Sequence, residues 1–424
     1  MFSHLLLPPI LLAAPLRLPH TEVTLDCGLR LIVHEDHRAP LFAAELRYHT
    51  GAADDPVPGL AHLIEHMMFE GSDAAPQGAY DRLLAAAGAS NNAWTSHDTS
   101  AFTVVGPAAA LELTLFLESD RMGWLTLEEE DLINQLAVVF SERELSRGAP
   151  GGLETAAVSR MLYPDSHPYR GTVLGEPETL GEVRLDTVRA ALDERYQPAN
   201  ATLVVCGDVS TEAVIALARQ YFADVPTRPP LPHPTAAPLV VDAEQRRVLF
   251  DEVEPTLLAV WPTVPRLHPD EPALDLLADA LTEALSGARA WTENRRLGGR
   301  LSVRLSRPRG HTRRLLRHLD RAVKKLQRVP LSMEALARLQ RRWRAGYVRS
   351  AEGLEERAAL LSACVEETGE ADCVEDILEQ REALRPADIQ AAAQRYLGAG
   401  RLLLSSMPER KRRLALWGSA EIWP

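Results

Sequence analysis

Lysine is almost missing from this chain of 424 residues: it stands only at 324, 325 and 411, and arginine carries the rest of the positive charge. We read this as coding bias and attach no mechanism to it. Cations are also outnumbered, 46 Lys and Arg against 59 Asp and Glu, for a formal net charge of −13. That balance argues against a nucleic-acid partner, whose phosphates need a basic surface. Past the amino terminus no apolar run is long enough to span a bilayer. Cysteine is scarce, at four residues. Cys364 and Cys373 are near neighbours, placed to bridge in an exported protein. Cys27 and Cys206 lie in separate strand-like segments and can pair only if those strands are adjacent. Reduced, buried thiols are the alternative for both pairs.

What is present is an ordinary globular balance, 46% apolar and 25% charged, which argues against disorder. The length suits two or more domains. Residues 1–18 resemble a short export leader: 5–14 is apolar and Ala13-Ala14 offers a cleavage site. This implies a periplasmic or secreted protein. The absence of Lys or Arg at the very start, and Pro8-Pro9 within the run, keep a cytoplasmic location as the alternative.

Along the chain, 22–34 reads as a hairpin turning at Asp26-Cys27-Gly28, and 41–48 as a strand. A turn over 54–59 launches a helix that Gly71-Ser72 ends. A short helix over 79–87, a strand within 89–105, and helices over 108–122 and 128–147 follow. The last opens on Glu128-Glu129-Glu130-Asp131, acids that suit the positive end of a helix dipole. A loop over 163–171, a helix over 185–195 and a strand over 201–206 close the first half. Residues 226–238, PTRPPLPHPTAAP, form a linker of extended backbone.

The halves on either side, 19–225 and 239–424, look like distant copies. Residues 185–196 precede a strand at 201–205, and 384–396 precede one at 401–404, with Arg195-Tyr196 and Arg395-Tyr396 in matching places. The predicted fold is α+β: two duplicated α/β-sandwich domains with mixed or antiparallel sheets flanked by helices. A helix over 313–328 carries Leu315, Leu316, Leu319, Val323 and Leu326 at helical spacing, with a solvated basic face.

The chemistry is concentrated in 59–72, GLAHLIEHMMFEGS, where His62, Glu65 and His66 stand in the order H-x-x-E-H. On a helix His62 and His66 are one turn apart on one face, able to reach one tetrahedral Zn2+ at roughly 2.0–2.1 Å. Glu65 lies on the same side, as a general base for an attacking water. This is the inverted zinc motif. The bland reading is the wet face of an amphipathic helix. The second half has no such histidine pair: its matching helix, 274–285, reads LDLLADALTEAL. One metal per chain is therefore expected. A catalytic zinc needs a third protein ligand, and 138–144, VVFSERE, offers Glu142 and Glu144. Local physics leaves both open.

On these residues the chain resembles the pitrilysin/insulinase family of zinc peptidases, which includes the mitochondrial processing peptidase. Further landmarks are Gly28-Leu29-Arg30, Asn92-Ala93-x-Thr95-x-x-Asp98-Thr99, His167-Pro168-Tyr169 and Asn200-Ala201. The family places its third ligand after a V-V-x-x-E pattern. Val138-Val139-Phe140-Ser141-Glu142 fits, and 142 − 66 = 76, so the resemblance implies Glu142 as ligand and Glu144 as a surface residue. It also implies a zinc endopeptidase built as one half of a clamshell. Its unfolded or short peptide substrate would be held as an added strand beside Asn92, Ala93, Trp94 and Thr95. Trp94 would border the pocket for the side chain next to the cut. Family members carry an Arg and a Tyr in the second half that bind substrate; here Arg295 fits the first, and Leu301 stands where the tyrosine belongs. That departure implies a homologous partner supplying the Arg/Tyr pair, a heterodimer, with a homodimer as the alternative. Gln135 stands where several relatives have glutamate, as a supporting residue. A catalytically silent scaffold or peptide-binding subunit is the competing reading.

Overall fold

The computed structural model describes residues 16–149, 151–250, 256–306, 312–407 and 421–422; most of the expected leader lies outside them. The chain opens with β1 (Thr21–Thr24), β2 (Arg30–Glu35) and β3 (Leu41–Tyr48), then α1 (Leu60–Met67) and α2 (Ala79–Ala86). A hairpin follows, β4 (Ser90–Thr95) and β5 (Ser100–Pro107), then α3 (Leu111–Gly123), α4 (Glu129–Gly148) and α5 (Gly152–Leu162). After α6 (Pro177–Leu180) and α7 (Leu185–Arg195) come β6 (Ala201–Gly207) and α8 (Thr211–Phe222).

The second half runs β7 (Gln245–Phe250), β8 (Thr256–Thr263), α9 (Glu271–Ala284), β9 (Ala288–Arg295) and β10 (Gly298–Ser306). Five helices follow: α10 (Thr312–Arg328), α11 (Met333–Ser350), α12 (Leu354–Thr368), α13 (Val374–Glu382) and α14 (Pro386–Tyr396). The chain returns through β11 (Leu402–Met407) and β12 (Glu421–Ile422). Residues 226–238 hold neither helix nor strand.

The two sheets have the orders β1-β2-β6-β3-β5-β4 and β12-β7-β11-β8-β10-β9. In both, the fifth and sixth strands pair antiparallel and the second and third pair parallel, β2 with β6 and β7 with β11. The duplication read from Arg195-Tyr196 and Arg395-Tyr396 is thus a repeated sheet topology. Only the outermost pair differs, antiparallel for β1 with β2 and parallel for β12 with β7.

Each sheet buries one face under its own helices and the other under a helix from the opposite half. Leu60, Leu63 and Ile64 of α1 and Val214 and Phe222 of α8 cover the first sheet, and Leu274, Leu277 and Leu281 of α9 the second. On the opposite faces, Ala358, Leu361 and Cys364 of α12 lie against Ile32 and Val204 of the first sheet. Reciprocally, Ala157, Val158 and Leu162 of α5 lie against Leu258, Val260 and Leu404 of the second. The pleat of β3 shows the two environments: Phe42, Leu46 and Tyr48 face the first core. Glu45 and Arg47 face α12, where Arg47 pairs with Glu45 and with Glu366 at 2.8 and 2.9 Å.

The single strand expected within 89–105 is a hairpin. Ser96 reverses the chain by accepting, through Oγ, from the backbone N–H of Asp98 and Thr99 at 3.2 and 3.1 Å. This turn chemistry outweighs the extended propensity on both sides. Cys364 and Cys373 form a disulfide, tying the end of α12 to the start of α13. Cys27 and Cys206 are free and buried. Their strands are adjacent, but Cys206 pairs across with His34 at the far end of β2, and Cys27 sits in the turn before it. Among the described residues no helix is long and apolar enough to cross a membrane.

Asp54 joins the halves. Its carboxylate, wholly buried, receives His233 of the 226–238 stretch at 2.9 Å and Arg296 of the β9–β10 turn at 3.3 Å, with Arg195 at 3.8 Å. Burial would raise its pKa, but the His233 hydrogen bond and the Arg296 charge outweigh it and hold the group below its ordinary value. A depressed carboxylate stabilises the fold above its unfolded pKa of about 3.9 and loses that contribution as pH falls through the lower folded value. Asp54→Ala is expected to cost about 3 kcal/mol at pH 7, by urea unfolding. The deficit should shrink as pH falls below about 4; an equal deficit at both pH values would remove the charge from the account.

Candidate metal centre

The helix α1 starts where two backbones touch. Gly59 has φ 96°, and a Cβ there would lie 2.7 Å from the Cα of Gly175, so only glycine fits the entry. Asp55 accepts from the backbone N–H of Ala61 at 2.9 Å, holding the first turn, and burial pushes its pKa up to about 7. Leu60, Leu63, Ile64 and Met67 turn into the core, which leaves His62, Glu65 and His66 on the other side. The helix ends at Met67 rather than at Gly71, in turns closed by Phe69 N–H to His66 O and Glu70 N–H to Met67 O.

Across α1 runs α4, whose first turn is held by Asp131 accepting from the Glu128 N–H at 2.8 Å. Leu132, Gln135, Val139 and Glu142 fall at i, i+3, i+7 and i+10, one stripe. Leu132 and Val139 are buried, and they fix the rotation of the helix. Glu142 then faces α1: its Oε2 lies 3.6 Å from His62 Nε2 and 3.4 Å from His66 Nε2. These three ligand atoms all lie within 4.8 Å of one another. Glu144 points away, 66% exposed, toward Arg143 and Arg147.

The trio fits a zinc ion. Ligands bound tetrahedrally at roughly 2.0–2.1 Å sit about 3.3–3.4 Å apart, close to the two observed separations. The hydrogen bonds around the trio agree. The Glu70 carboxylate accepts from the side-chain amides of Gln77 and Gln135. With its NH2 so engaged, Gln135 turns Oε1 to His66 Nδ1 at 3.0 Å, an acceptor that requires the proton on that nitrogen. His66 Nε2, the other ring nitrogen, faces the carboxylate of Glu142. Burial, with His66 nearby, pushes His62 down to about 4. Two ring nitrogens and a carboxylate oxygen converging without a hydrogen bond between them leave a place for a cation.

Glu70 was not singled out from sequence; it stands in the turn that follows α1, four residues beyond His66. Glu70→Ala frees Gln135 to rotate and is expected to weaken zinc binding about 10–100-fold, read by competition with a chromogenic chelator. Unchanged affinity would mean that Gln135 holds His66 unaided.

Glu65 accepts from Thr95 Oγ1 at 2.5 Å, and burial raises its pKa above the ordinary value. Thr95 closes β4, an edge strand hydrogen-bonded only to β5 among the described residues. Ala93 and Thr95 face α1. Asn92 and Trp94 take the opposite face: Arg47 stacks over the Trp94 ring at 5.4 Å, and Thr103, paired with Asn92, meets Glu355 of α12. Strand alternation thus puts the Trp94 side chain on the sheet face away from the trio.

Arg295, at the end of β9, lines a cleft of about 830 Å³ together with Ser96 after β4 and Arg143 after Glu142. Leu301 does not reach that surface. It is wholly buried in the second core.

Residues 30–162 match the family model described as insulinase (peptidase family M16), and 182–342 match the one described as the peptidase M16 inactive domain. A "zinc protease PqqE" of Helicobacter pylori is 27% identical over 283 residues, 65% of this chain and 63% of that protein. The match to the "probable zinc protease PqqL" of Escherichia coli, 27% identical, covers 52% of this chain and 25% of that one. The chain thus spans less than two thirds of the length of these curated relatives. Among solved structures, a Helicobacter pylori protease superposes with a TM-score of 0.84 at 21% identity, covering 92% of this chain and 100% of that one. That likeness establishes the fold.

Proposed function

The chain belongs to the insulinase (M16) family of zinc peptidases, and from that premise we propose that it is a zinc-dependent endopeptidase for unfolded or short peptides, and the metal-bearing subunit of a two-subunit enzyme. The observation that carries the reading is the convergence of His62, His66 and Glu142 on one point, with Glu65 beside them. His62, His66 and Glu142 would hold the ion. Zinc bound there would lower the pKa of a coordinated water toward ~7 and polarise the scissile carbonyl.

Glu65 takes the proton of the attacking water and passes it to the leaving amine. Burial and Thr95 suit it to both tasks: the raised pKa favours return of the proton, and the hydrogen bond fixes the carboxylate. The open edge of β4 takes the peptide as an added strand through Asn92, Ala93, Trp94 and Thr95, by backbone pairing that is indifferent to most side chains. Arg295, across the cleft, reaches the substrate from the second half.

The partner reading is supported by the sequence: this chain offers Arg295 but a leucine, not a tyrosine, at position 301. The homologous subunit would supply the Arg/Tyr pair, with a second copy of this chain as the alternative. A periplasmic or secreted location is supported by the Cys364–Cys373 disulfide. It is also in keeping with a solved relative described as periplasmic, whose first half has a TM-score of 0.76.

The test is hydrolysis of a quenched peptide by the zinc-loaded chain, alone and with a homologous subunit. Low activity alone and a large gain on mixing is expected. Full activity alone would dismiss the partner. No cleavage in any mixture, with zinc bound, would favour the competing reading of a silent peptide-binding or scaffold subunit.

A further inference from the structure

The cleft next to the trio has a charge pattern that peptide hydrolysis in general does not require. Its wall carries Arg143, Arg147, Arg160, Arg266, Arg295 and Arg300, against Asp98, Glu176 and Glu178. Most of these charges have partners in the wall or just behind it. Glu176 is held by Arg143 and Arg160, and Asp98 accepts from Tyr169 at 2.7 Å. Arg266 is balanced by Glu366 and Glu367, each at 3.4 Å.

Arg143 has a second carboxylate in Glu144 at 3.0 Å, whereas Arg295 and Arg300 both rely on one. Glu293, which sits behind them and does not line the cleft, accepts from Arg295 Nη2 at 2.9 Å and from Arg300 Nη2 at 2.6 and 2.8 Å. Two guanidinium groups on one acid leave a positive charge uncompensated. The Nε of Arg300 is buried and has no hydrogen-bond partner among the described residues. Both side chains are held in place, Arg300 opposite Glu293 in the β9–β10 ladder and Arg295 with its guanidinium 5.4 Å from the Tyr169 ring centroid. Burial and these two cations push the neighbouring His97 down to about 3, so it adds no charge of its own.

We infer that Arg295 and Arg300 form a carboxylate-binding subsite in the cleft beside the metal trio, selecting peptides that present an acidic group next to the cut. A fixed, partly desolvated guanidinium pair recognises a carboxylate through charge-assisted and bidentate hydrogen bonds. The geometry leads substrate there: Ser96, the residue after β4, and Arg143, the residue after Glu142, both line the cleft. The inference rests on the peptidase reading for what the selection serves. The carboxylate has two possible sources, an Asp or Glu side chain or the free end of a short peptide.

Three sets of quenched peptides separate them: a glutamate moved through the positions flanking the cut with an amidated end, the glutamine counterparts, and a glutamine peptide with a free carboxylate end. The expected result is a preference of about tenfold in kcat/KM for glutamate over glutamine at one position, the scale of one charge-assisted hydrogen bond. That preference should vanish in Arg300→Gln and return in part in Arg300→Lys. A preference for the free end instead assigns the subsite to the chain terminus. Glutarate should inhibit the wild-type protein competitively, a readout that does not depend on the variants folding. Equal cleavage of all three sets without inhibition by glutarate overturns the subsite and leaves the peptidase standing. If nothing is cut, fluorescence anisotropy with the same peptides decides: selective binding of the acidic ones keeps the subsite and drops the peptidase, and no selectivity drops both.

Discussion

Glu65→Gln is expected to lower peptide turnover by about 10²–10⁴-fold while zinc content stays at one ion per chain. Glutamine has the shape of glutamate, and its amide oxygen can still accept from Thr95. What it loses is the ability to take a proton from water and return it to the amine. Because Glu65 is not among the three converging ligand atoms, metal and activity part company in this variant. Metal analysis beside single-turnover cleavage is the measurement. Loss of zinc together with activity would make Glu65 structural, and wild-type cleavage would remove it from the chemistry.

The second large effect distinguishes two glutamates on one helix. Glu142→Gln is expected to weaken zinc binding by more than about 100-fold, and activity with it, since a neutral amide replaces the anionic ligand. Glu144→Gln should change neither beyond twofold or so, because an exposed carboxylate shared with Arg143 and Arg147 contributes under about 1 kcal/mol. Chelator competition and cleavage assays on both variants give a direct contrast. If the two behaved alike, the phase of α4 described above would be wrong. Removal of metal from the wild-type chain by a strong chelator should abolish cleavage, and zinc should restore it.

That contrast also shows where sequence reading reaches its limit. Residues 142 and 144 lie two apart on a helix, about 200° around its axis, so one must face α1 if the other faces solvent. Which one does depends on Leu132 and Val139 sinking into the first core, a contact between elements far apart in the chain. Local physics left the choice open, and the resemblance to a peptidase family selected Glu142. The same gap explains the Trp94 side chain, since strand alternation is local but the face that meets α1 is not. The exchange of α5 and α12 between the halves had a local signal, Ala358, Leu361, Cys364 and Val365 at helical spacing. Nothing in that spacing named the opposite sheet as partner.

By itself, the amino-acid sequence determined the H-x-x-E-H face of α1, the duplication of one α+β unit and the order of most strands and helices. These follow from periodicities of two and 3.6 residues and from turn residues, which act over a few positions. The tertiary structure alone decided the rotation of α4 that brings Glu142 to the histidines, the Glu70–Gln135 link that orients His66, and the sharing of Glu293 by Arg295 and Arg300. Each is a meeting of side chains set by how helices and sheets bury their apolar faces together, and no local pattern encodes that.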